Sequence, residues 1–500
     1  MTQNSNASFG RLSRGSASAL PFIAFGVVWA LYFIISEAPG AIHQDMTEAY
    51  VWGQEFQLGY HQHPPFWAWI CGVWFLIFPR SDWAFYSLSA LNATLGLWGA
   101  WVLIGRFARG PKRVAATMLL ITTPFFTFFA YKYNANSIFL SLWPWTMVFF
   151  VKAIDKGRLR DAIWFGVFVA CALLSKYFAL ILCATCLIAA LQHPARRRYF
   201  SSASPWVSVS VALGLWAPHL YWLLVSGAPP LRYLNSISGL GILAALNNAQ
   251  ATLFGALGDS ALMLALVIFV AKPRPAFLWA SIREKLGDPR FRVMMILALA
   301  PLALSLGACL ALRSKLATPM LMGTFSLVPL LAIEIAAPRD LERLARLATR
   351  TAIILSLGAL AAAPALALGK FFIVKNSRDT EPRKELAEAA TRLWTLQTQR
   401  PLSFVGGSTI YADAVVFYSP QRAHSFADFD QLARPWVTPE ALGAHGLLAV
   451  CETGDTQCRA AAKTFLTPTA TQTEMILTHQ FLGYKAEPIS FLVTIVPPRE

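Results

Sequence analysis

Long runs of apolar residues, separated by short polar connections, dominate the first 370 residues of this 500-residue chain. A transmembrane helix needs about 20 consecutive and mostly apolar residues. The pattern is typical of a polytopic α-helical membrane protein with about eleven spans. Their predicted bounds are 18–36, 84–105, 114–131, 137–154, 160–175, 177–192, 205–226, 250–271, 292–312, 317–337 and 351–369.

Two further stretches have a different pattern. The stretch from Phe66 to Phe78 is apolar but short, and it is rich in tryptophan, which indicates a helix lying in the membrane interface. After residue 370, polar residues, β-branched clusters and turn signals indicate a small α/β domain. The predicted parts are a tail 1–17, a transmembrane module 18–370 with a long first loop 37–82, and a C-terminal domain 371–500.

Composition agrees with a membrane location. Hydrophobic residues make up 56% of the chain and charged residues only 14%, whereas a soluble domain is about 25% charged. The net charge of +16 does not require a nucleic-acid partner, because most of the excess lies in loops beside the membrane. Anionic lipid headgroups account for it there, so membrane lipids are the expected partners.

The positive charges are distributed unevenly between the two sides. Alternate threading of the spans places 23 Lys and Arg residues in one set of loops and six in the other. Because cytoplasmic loops collect Lys and Arg, we predict a cytoplasmic N-terminus ahead of an uncleaved first helix, and a periplasmic C-terminal domain. The six cations on the depleted side are Arg80, Lys132, Lys176, Arg232, Arg313 and Lys315.

The first external loop carries the most conspicuous polar cluster. Asp45 and Glu48 are three residues apart and share a face if the segment is helical. His43, His61 and His63 lie close by. These groups could hold a divalent cation, position an acceptor hydroxyl for deprotonation, or be solvated loop residues, and all three interpretations stay open.

Three external turns offer cations. They contain Lys132 (in AYKYNANS), Lys176 (in LLSKYFAL), and Arg313 with Lys315 (in LRSKLATP). A lone lysine at a helix end often extends to the interface. Three such turns together favour a phosphate site, because cations hold a phosphate in the ground state and stabilise it as a leaving group. His219, near the external end of another span, fits core packing as well as it fits substrate contact.

Two cysteines in the C-terminal part are spaced as CETGDTQC. Cys451 and Cys458 would close a small loop if they were oxidised. In a periplasmic domain such a disulfide is plausible, and a pair of free thiols is the alternative.

Four segments in order, DMTEAY, GYHQHPPFWAW, YNANS and LLSKYFAL, resemble the bacterial family 39-type glycosyltransferases. These are GT-C fold enzymes related to protein O-mannosyltransferases and to the lipid A aminoarabinose transferase. The resemblance covers roughly residues 20–340. It implies a polyprenyl-phosphate-linked sugar as the donor and Asp45 as the principal catalytic residue, with Glu48 as the second acid of the motif. The DxxE spacing leaves both carboxylates open as the base.

We therefore predict a glycosyltransferase that moves one sugar from a polyprenyl-phosphate donor to a membrane-associated acceptor at the periplasmic face of a bacterial inner membrane. The acceptor could be lipid A, a polysaccharide, another lipid or a protein. Asp45 and Glu48 are the catalytic candidates, and Glu48 and His63 could hold a divalent metal. The predicted substrate-binding residues are His63, Lys132, Tyr133, Asn134, Lys176, Tyr177, Arg313 and Lys315. A transporter or flippase of a lipid-linked or anionic solute is the alternative.

Overall fold

The computed structural model describes residues 19–374 and 377–499. The predicted tail, 1–17, lies outside these residues. Helices make up the described chain as far as residue 373, and helices alternate with strands after it. The helices are α1 (Leu20–Ser36), α2 (Gln44–Glu55), α3 (Phe66–Ile77), α4 (Asp82–Ile104), α5 (Gly110–Ile121), α6 (Phe139–Lys156), α7 (Leu159–Leu173), α8 (Ala179–Gln192), α9 (Arg196–Phe200), α10 (Ser204–Val225), α11 (Pro229–Ile237), α12 (Ile242–Asp259), α13 (Ala261–Ala271), α14 (Pro275–Lys285), α15 (Pro289–Leu312), α16 (Val328–Ala336), α17 (Leu341–Ile373), α18 (Arg383–Thr398), α19 (Thr409–Tyr418), α20 (Pro439–His445) and α21 (Thr456–Lys463), with 3₁₀ helices at Phe128–Tyr131 and Thr318–Leu327.

Each of the apolar segments predicted from the sequence contains a helix. Among the described residues, five helical segments are long and apolar enough to cross a membrane, and the pair α12 and α13, bent by 53°, makes a sixth. Several of the other helices are shorter than their apolar segments because local features end them. One example is α5, which ends at Ile121, three residues before Pro124, and proline disfavours a helical conformation in the residue before it. The five helical segments that are long enough to cross a membrane are α4, α10, α15, Thr318–Ala336 and α17.

Polar contacts inside the helical module fix the turn ahead of α6. Asn92 of α4 donates its amide to the Ser137 carbonyl (2.7 Å) and accepts from the Ser141 hydroxyl (2.6 Å). All three residues are buried. Because the nitrogen and the oxygen of the Asn92 amide both have hydrogen-bond partners, neither atom is left unsatisfied in the interior. The turn that carries the YNANS segment is therefore tied to the middle of the bundle.

The C-terminal part is a small α/β unit, as predicted. Its main sheet has the strand order β2-β1-β3-β7-β4, with β1 parallel to β2 and β3, and β7 antiparallel to β3 and β4. The Cys451–Cys458 disulfide forms, with the two Cα atoms 5.7 Å apart, so that prediction is confirmed. The strands are β1 (Phe404–Gly407), β2 (His424–Ala427), β3 (Leu447–Glu452), β4 (Thr471–Leu477), β5 (Gln480–Phe481), β6 (Tyr484–Lys485) and β7 (Ile489–Val496).

Contacts join this α/β unit to the first long loop. Helix α19 packs against α2, and the Arg80 guanidinium donates to the carbonyls of Pro420 (2.9 Å) and Gln421 (3.0 Å). The His424 imidazole lies 2.7 Å from the Glu55 carboxylate. Arg80, one of the six cations on the depleted side, is thus accounted for by contacts that hold the α/β unit to the first long loop.

Candidate active site

The helix α2 places the two acidic residues of the first loop. It begins after His43, whose Nδ1 accepts a hydrogen bond from the Asp45 backbone N–H (3.1 Å), and such a cap satisfies one of the free donors at a helix start. Because the segment is helical, Asp45 and Glu48 lie on one face, as the spacing predicts.

The Asp45 carboxylate lies between the start of its own helix and the turn that contains Lys132 and Asn134. Its Oδ2 accepts from Asn134 Nδ2 (2.8 Å) and pairs with Lys132 Nζ (3.1 Å), while Oδ1 lies 3.3 Å from His43 Nδ1. Burial raises the pKa of Asp45, but the neighbouring His43 imidazole, the Lys132 charge and the Asn134 hydrogen bond outweigh burial and hold the pKa well below its usual range. Asp45 is therefore ionised at any physiological pH.

The YNANS segment connects Asp45 to a lysine on a third turn. The Asn134 side-chain oxygen accepts from the backbone N–H groups of Asn136 and Ser137 (2.9 Å each), so local hydrogen bonds fix its orientation. The Asn136 side-chain oxygen accepts from Lys176 Nζ at 2.6 Å. A continuous series of contacts thus runs from Asp45 through Asn134 and Asn136 to Lys176.

Lys176 lies in the short turn between α7 and α8, and it is half-buried. Burial lowers the pKa of Lys176 to about 8, although the Asp45 charge works against that shift. Its ammonium group is therefore mostly charged at neutral pH and becomes neutral only above that value. A desolvated cation of this kind binds an anion more strongly than a solvated one does.

The pKa of Glu48 is shifted in the opposite direction from that of Asp45. Burial raises the pKa of Glu48 to about 8; the Arg434 charge opposes the rise, and the negative charges of Asp45 and Asp413 add to it. Within the described ranges its carboxyl makes no hydrogen bond or ion pair. Glu48 therefore keeps its proton at neutral pH, and the α/β unit acts on that state in both directions, with Asp413 favouring it and Arg434 opposing it.

The loop histidines are half-buried, and aromatic rings surround them. The His63 ring lies 6.3 Å from Trp52 and 6.2 Å from Trp67 between ring centroids. Burial lowers the pKa of His63 to about 3 and that of His61 to about 4, and positive charges nearby add to both shifts. Both imidazoles are therefore neutral at physiological pH.

Among the described residues, the structure brings no third metal-ligating side chain to Glu48 and His63, the predicted metal residues. In residues 19–374 and 377–499, no three His, Cys, Asp or Glu side chains converge in a way that could hold a metal ion. The Asp45 carboxylate, on the same helix face as Glu48, already contacts Lys132 and Asn134. The donor set needed for a divalent cation is thus incomplete at these residues.

The position of Tyr133 differs from the prediction that it binds substrate. Its side chain is 0% exposed, and its hydroxyl donates to the Trp67 carbonyl at 2.9 Å. Tyr133 is therefore a packing residue that joins the YNANS turn to α3, and it does not line a substrate pocket.

Tyr177 also makes a structural contact. The His219 Nδ1 lies 2.7 Å from the Leu58 carbonyl oxygen, so it carries the proton there, and its Nε2 accepts from the Tyr177 hydroxyl at 2.8 Å. His219 is buried, and it links α10 to the first long loop at Leu58 and to the Lys176 turn at Tyr177. Of the two interpretations that the sequence left open for His219, its contacts favour packing.

Arg313 and Lys315 lie on the exposed turn after α15. Their side chains make no hydrogen bond or ion pair with the residues that the structure describes. The turn lies beside that of Lys176, because Phe178 packs against the cluster that contains Leu316. The structure therefore brings two of the three predicted cationic turns together through an apolar contact.

The chain is similar to known glycosyltransferases in sequence. The profile of the family described as dolichyl-phosphate-mannose-protein mannosyltransferase matches residues 62–222. The chain is 26% identical over 316 residues to the lipopolysaccharide core galacturonosyltransferase RgtB of Rhizobium johnstonii, a match that covers 58% of this chain and 62% of that protein. The match therefore spans less than two thirds of RgtB.

Two solved structures share the architecture almost from end to end. The crystal structure of ArnT from Cupriavidus metallidurans bound to undecaprenyl phosphate has a TM-score of 0.62 at 14% identity, covering 95% of this chain and 97% of that one. The apo structure of the same protein has a TM-score of 0.60 at 13% identity, with the same coverage.

The chain has the GT-C fold. The resemblance to the GT-C glycosyltransferases that the sequence motifs indicate is confirmed, as is the polytopic helical class with a small C-terminal sheet. The family segment contains His63, Lys132, Asn134 and Lys176, and the two acids of α2 precede it.

Sequence reasoning missed two contributors to the site. Asn136 lies inside the quoted YNANS segment, but only its bond to Lys176 distinguishes it from a turn residue. Arg434 approaches Glu48 from the α/β unit, nearly 400 residues along the chain. No local pattern could identify Arg434, because only the tertiary fold brings it to α2.

Proposed function

We propose that this protein is a glycosyltransferase that moves one sugar from a polyprenyl-phosphate donor to a membrane-associated acceptor at the periplasmic face of a bacterial inner membrane. The name of RgtB includes the lipopolysaccharide core, which supports a glycolipid acceptor, and ArnT was solved with undecaprenyl phosphate. The charge bias of the loops supports a cytoplasmic N-terminus and a periplasmic domain 371–500.

One observation carries this proposal: a series of contacts links an ionised carboxylate, Asp45, to a half-buried lysine, Lys176, through Asn134 and Asn136. Glycosyl transfer from a phosphate donor needs both groups. The carboxylate accepts the proton of the attacking hydroxyl, and the cation stabilises the charge that develops on the leaving phosphate.

The proposed reaction has one displacement at the sugar. The acceptor oxygen bonds to the anomeric carbon as the bond between that carbon and the phosphate oxygen breaks, and polyprenyl phosphate leaves with the bonding electrons. The acceptor proton passes to Asp45, whose low pKa makes it a weak base but an efficient hydrogen-bond acceptor that orients the hydroxyl. Glu48, protonated at neutral pH, adds no negative charge that would repel the donor.

The donor phosphate binds to the cationic turns in this scheme. Lys176 is the principal contact, because it is half-buried and already oriented by Asn136. Arg313 and Lys315 lie on the adjacent turn with side chains that have no partner in the described chain, and they complete the phosphate site from the solvent side. Lys132 pairs with Asp45 and offsets its negative charge.

The substitution Asp45→Asn tests the proposal. It preserves the size of the side chain and removes the charge, and we expect transfer from a labelled polyprenyl-phosphate sugar to fall by at least about 100-fold, the lower range for losing acid–base catalysis. Release of polyprenyl phosphate by the purified protein, without any ion gradient, is the measurement, and it separates an enzyme from a transporter.

Asp288→Asn is the matched control. Asp288 caps α15 at the other end of the bundle, and asparagine caps a helix about as well as aspartate does. We expect that variant to keep normal turnover. Near-normal turnover in Asp45→Asn protein that remains folded would refute the role of Asp45.

A further inference from the structure

A cavity with four arginines lies at the end of the bundle opposite the candidate active site. It has a volume of about 610 Å³, within the range of about 300–1,000 Å³ that is usual for ligand sites. Its polar lining comes from five parts of the chain: the turn after α4, the end of α6, the turn after α8, the short helix α9 and the start of α15. The ionisable residues are Arg106, Arg109, Asp155, His193, Arg198 and Arg290.

The direction of the helices fixes the position of this cavity. Helices α6 and α8 begin beside the active-site turns that carry Asn136 and Lys176, and they end at the cavity. Helix α15 runs the other way, from the cavity to the turn of Arg313. The cavity is therefore a full helix length away from Asp45, and it is a separate site.

The single carboxylate of the cavity is already engaged. Asp155 Oδ2 accepts from the Arg106 guanidinium (2.6 Å), its Oδ1 lies 3.3 Å from His193 Nε2, and its backbone carbonyl accepts from Arg198 (2.7 Å). These contacts leave the Arg106 Nε buried with no partner in the described chain. A buried donor without an acceptor costs about 1–3 kcal/mol, so it points to an acceptor supplied by a ligand.

Two more arginines at the cavity are free to bind. The guanidinium groups of Arg109 and Arg290 make no hydrogen bond or ion pair with any described residue. An adjoining cavity of about 190 Å³ is different, because there Glu334 pairs with both Lys112 (2.6 Å) and Lys285 (2.7 Å) and so reduces the positive charge. The excess of unpaired positive charge is thus greatest in the larger cavity.

We propose that this cavity binds a phosphate group, and that the guanidinium groups of Arg109 and Arg290 contact it directly. Arginine forks match phosphate oxygens in charge and geometry, and basic pockets between transmembrane helices bind phosphate headgroups of lipids. The wall also includes apolar side chains, Phe107, Val151 and Val293, which suit the glycerol and first methylenes of a phospholipid.

The test uses the full-length protein in a neutral detergent. Isothermal titration calorimetry with a short-chain phosphatidylglycerol should show saturable binding, and the double variant Arg109→Gln/Arg290→Gln should weaken it about 25-fold, or about fivefold for each charge removed. The matched control is Arg160→Gln/Arg350→Gln, which removes the same charge from exposed residues outside the cavity. We expect the control to bind as the natural protein does.

Two further ligands separate the sources of the phosphate. Glycerol phosphate that displaces the lipid at comparable concentration would identify a soluble phosphate ester as the ligand, and failure to displace it would identify a lipid headgroup; both outcomes support a phosphate site. Equal affinity for a short-chain phosphatidylcholine, or the same loss in the control variant as in the cavity variant, would overturn the proposal.

Discussion

Asp45 and Glu48 lie one helical turn apart on α2, yet their surroundings move their pKa values in opposite directions. Polar partners outweigh burial at Asp45 and lower its pKa, whereas burial dominates at Glu48 and raises its pKa to about 8. Paired titratable groups that are separated in this way have different roles in catalysis. Asp45 is suited to accept hydrogen bonds at every working pH, and Glu48 is suited to stay neutral beside an anionic donor.

The same residues predict a pH dependence of donor binding. As pH rises through about 8, Lys176 loses its positive charge and Glu48 gains a negative one, so both changes make the site more negative. We expect the KM for the lipid-phosphate donor to rise by about tenfold or more between about pH 7 and 9, the effect of losing one charge-assisted hydrogen bond. Initial rates at varied donor concentration measure it.

The variant Glu48→Gln provides the control for this pH dependence. It keeps the site neutral at that position, so the rise in KM should become less steep and should reflect Lys176 alone. A donor KM that stays constant across this pH range in the natural protein would contradict the assignment of Lys176 to the phosphate.

At the level of elements, the YNANS turn organises the site. Asn92 of α4 holds the turn from below through the Ser137 carbonyl, and the turn then presents Asn134 to Asp45 and Asn136 to Lys176. Residues on two other loops, Asp45 and Lys176, are thus held by one segment whose own hydrogen bonds are local. Such support by packed and hydrogen-bonded neighbours is what keeps reacting groups in productive geometry.

The substitution Asn136→Ala should reveal this positioning role. It removes the acceptor that orients Lys176, and a hydrogen bond to a charged group is worth about 1.5–3 kcal/mol. We expect donor KM to rise about tenfold while kcat changes less, because Asp45 keeps its own contacts. Steady-state kinetics give both values, and Asn247→Ala, at an exposed position on α12, is the control. An equal loss in both variants would argue against the role of Asn136.

Elements were easier to predict than contacts. Apolar segment length located the long helices of the module but not α9, α11 and α14, which lie between the predicted spans. The DxxE spacing placed Asp45 and Glu48 on one face of α2. The inward position of Tyr133 could not be predicted, because it depends on the Trp67 carbonyl, 66 residues away along the chain. Likewise, no spacing rule indicates that the Lys176 partner is an asparagine on another turn.

At the scale of the whole molecule, the α/β unit is part of the site. It contacts α2 through α19, and the charges of Arg434 and Asp413 influence the pKa of Glu48. Lys384 pairs with Asp82 at the start of α4 (2.6 Å), and Glu37 at the end of α1 pairs with Lys370 and Arg378. The first loop is therefore held between the membrane helices and the C-terminal sheet.

Arg80 is the clearest test of that arrangement, because its guanidinium holds the carbonyls of Pro420 and Gln421. In Arg80→Gln protein we expect the contact between α2 and α19 to loosen by about 1.5–3 kcal/mol, the worth of hydrogen bonds to a charged group. Hydrogen–deuterium exchange should then become faster in both helices, while α6 and α15 stay protected. Arg392→Gln, at an exposed position on α18, should leave exchange unchanged. If exchange in α2 of the Arg80 variant matches that of the natural protein, the α/β unit does not depend on Arg80 for its attachment.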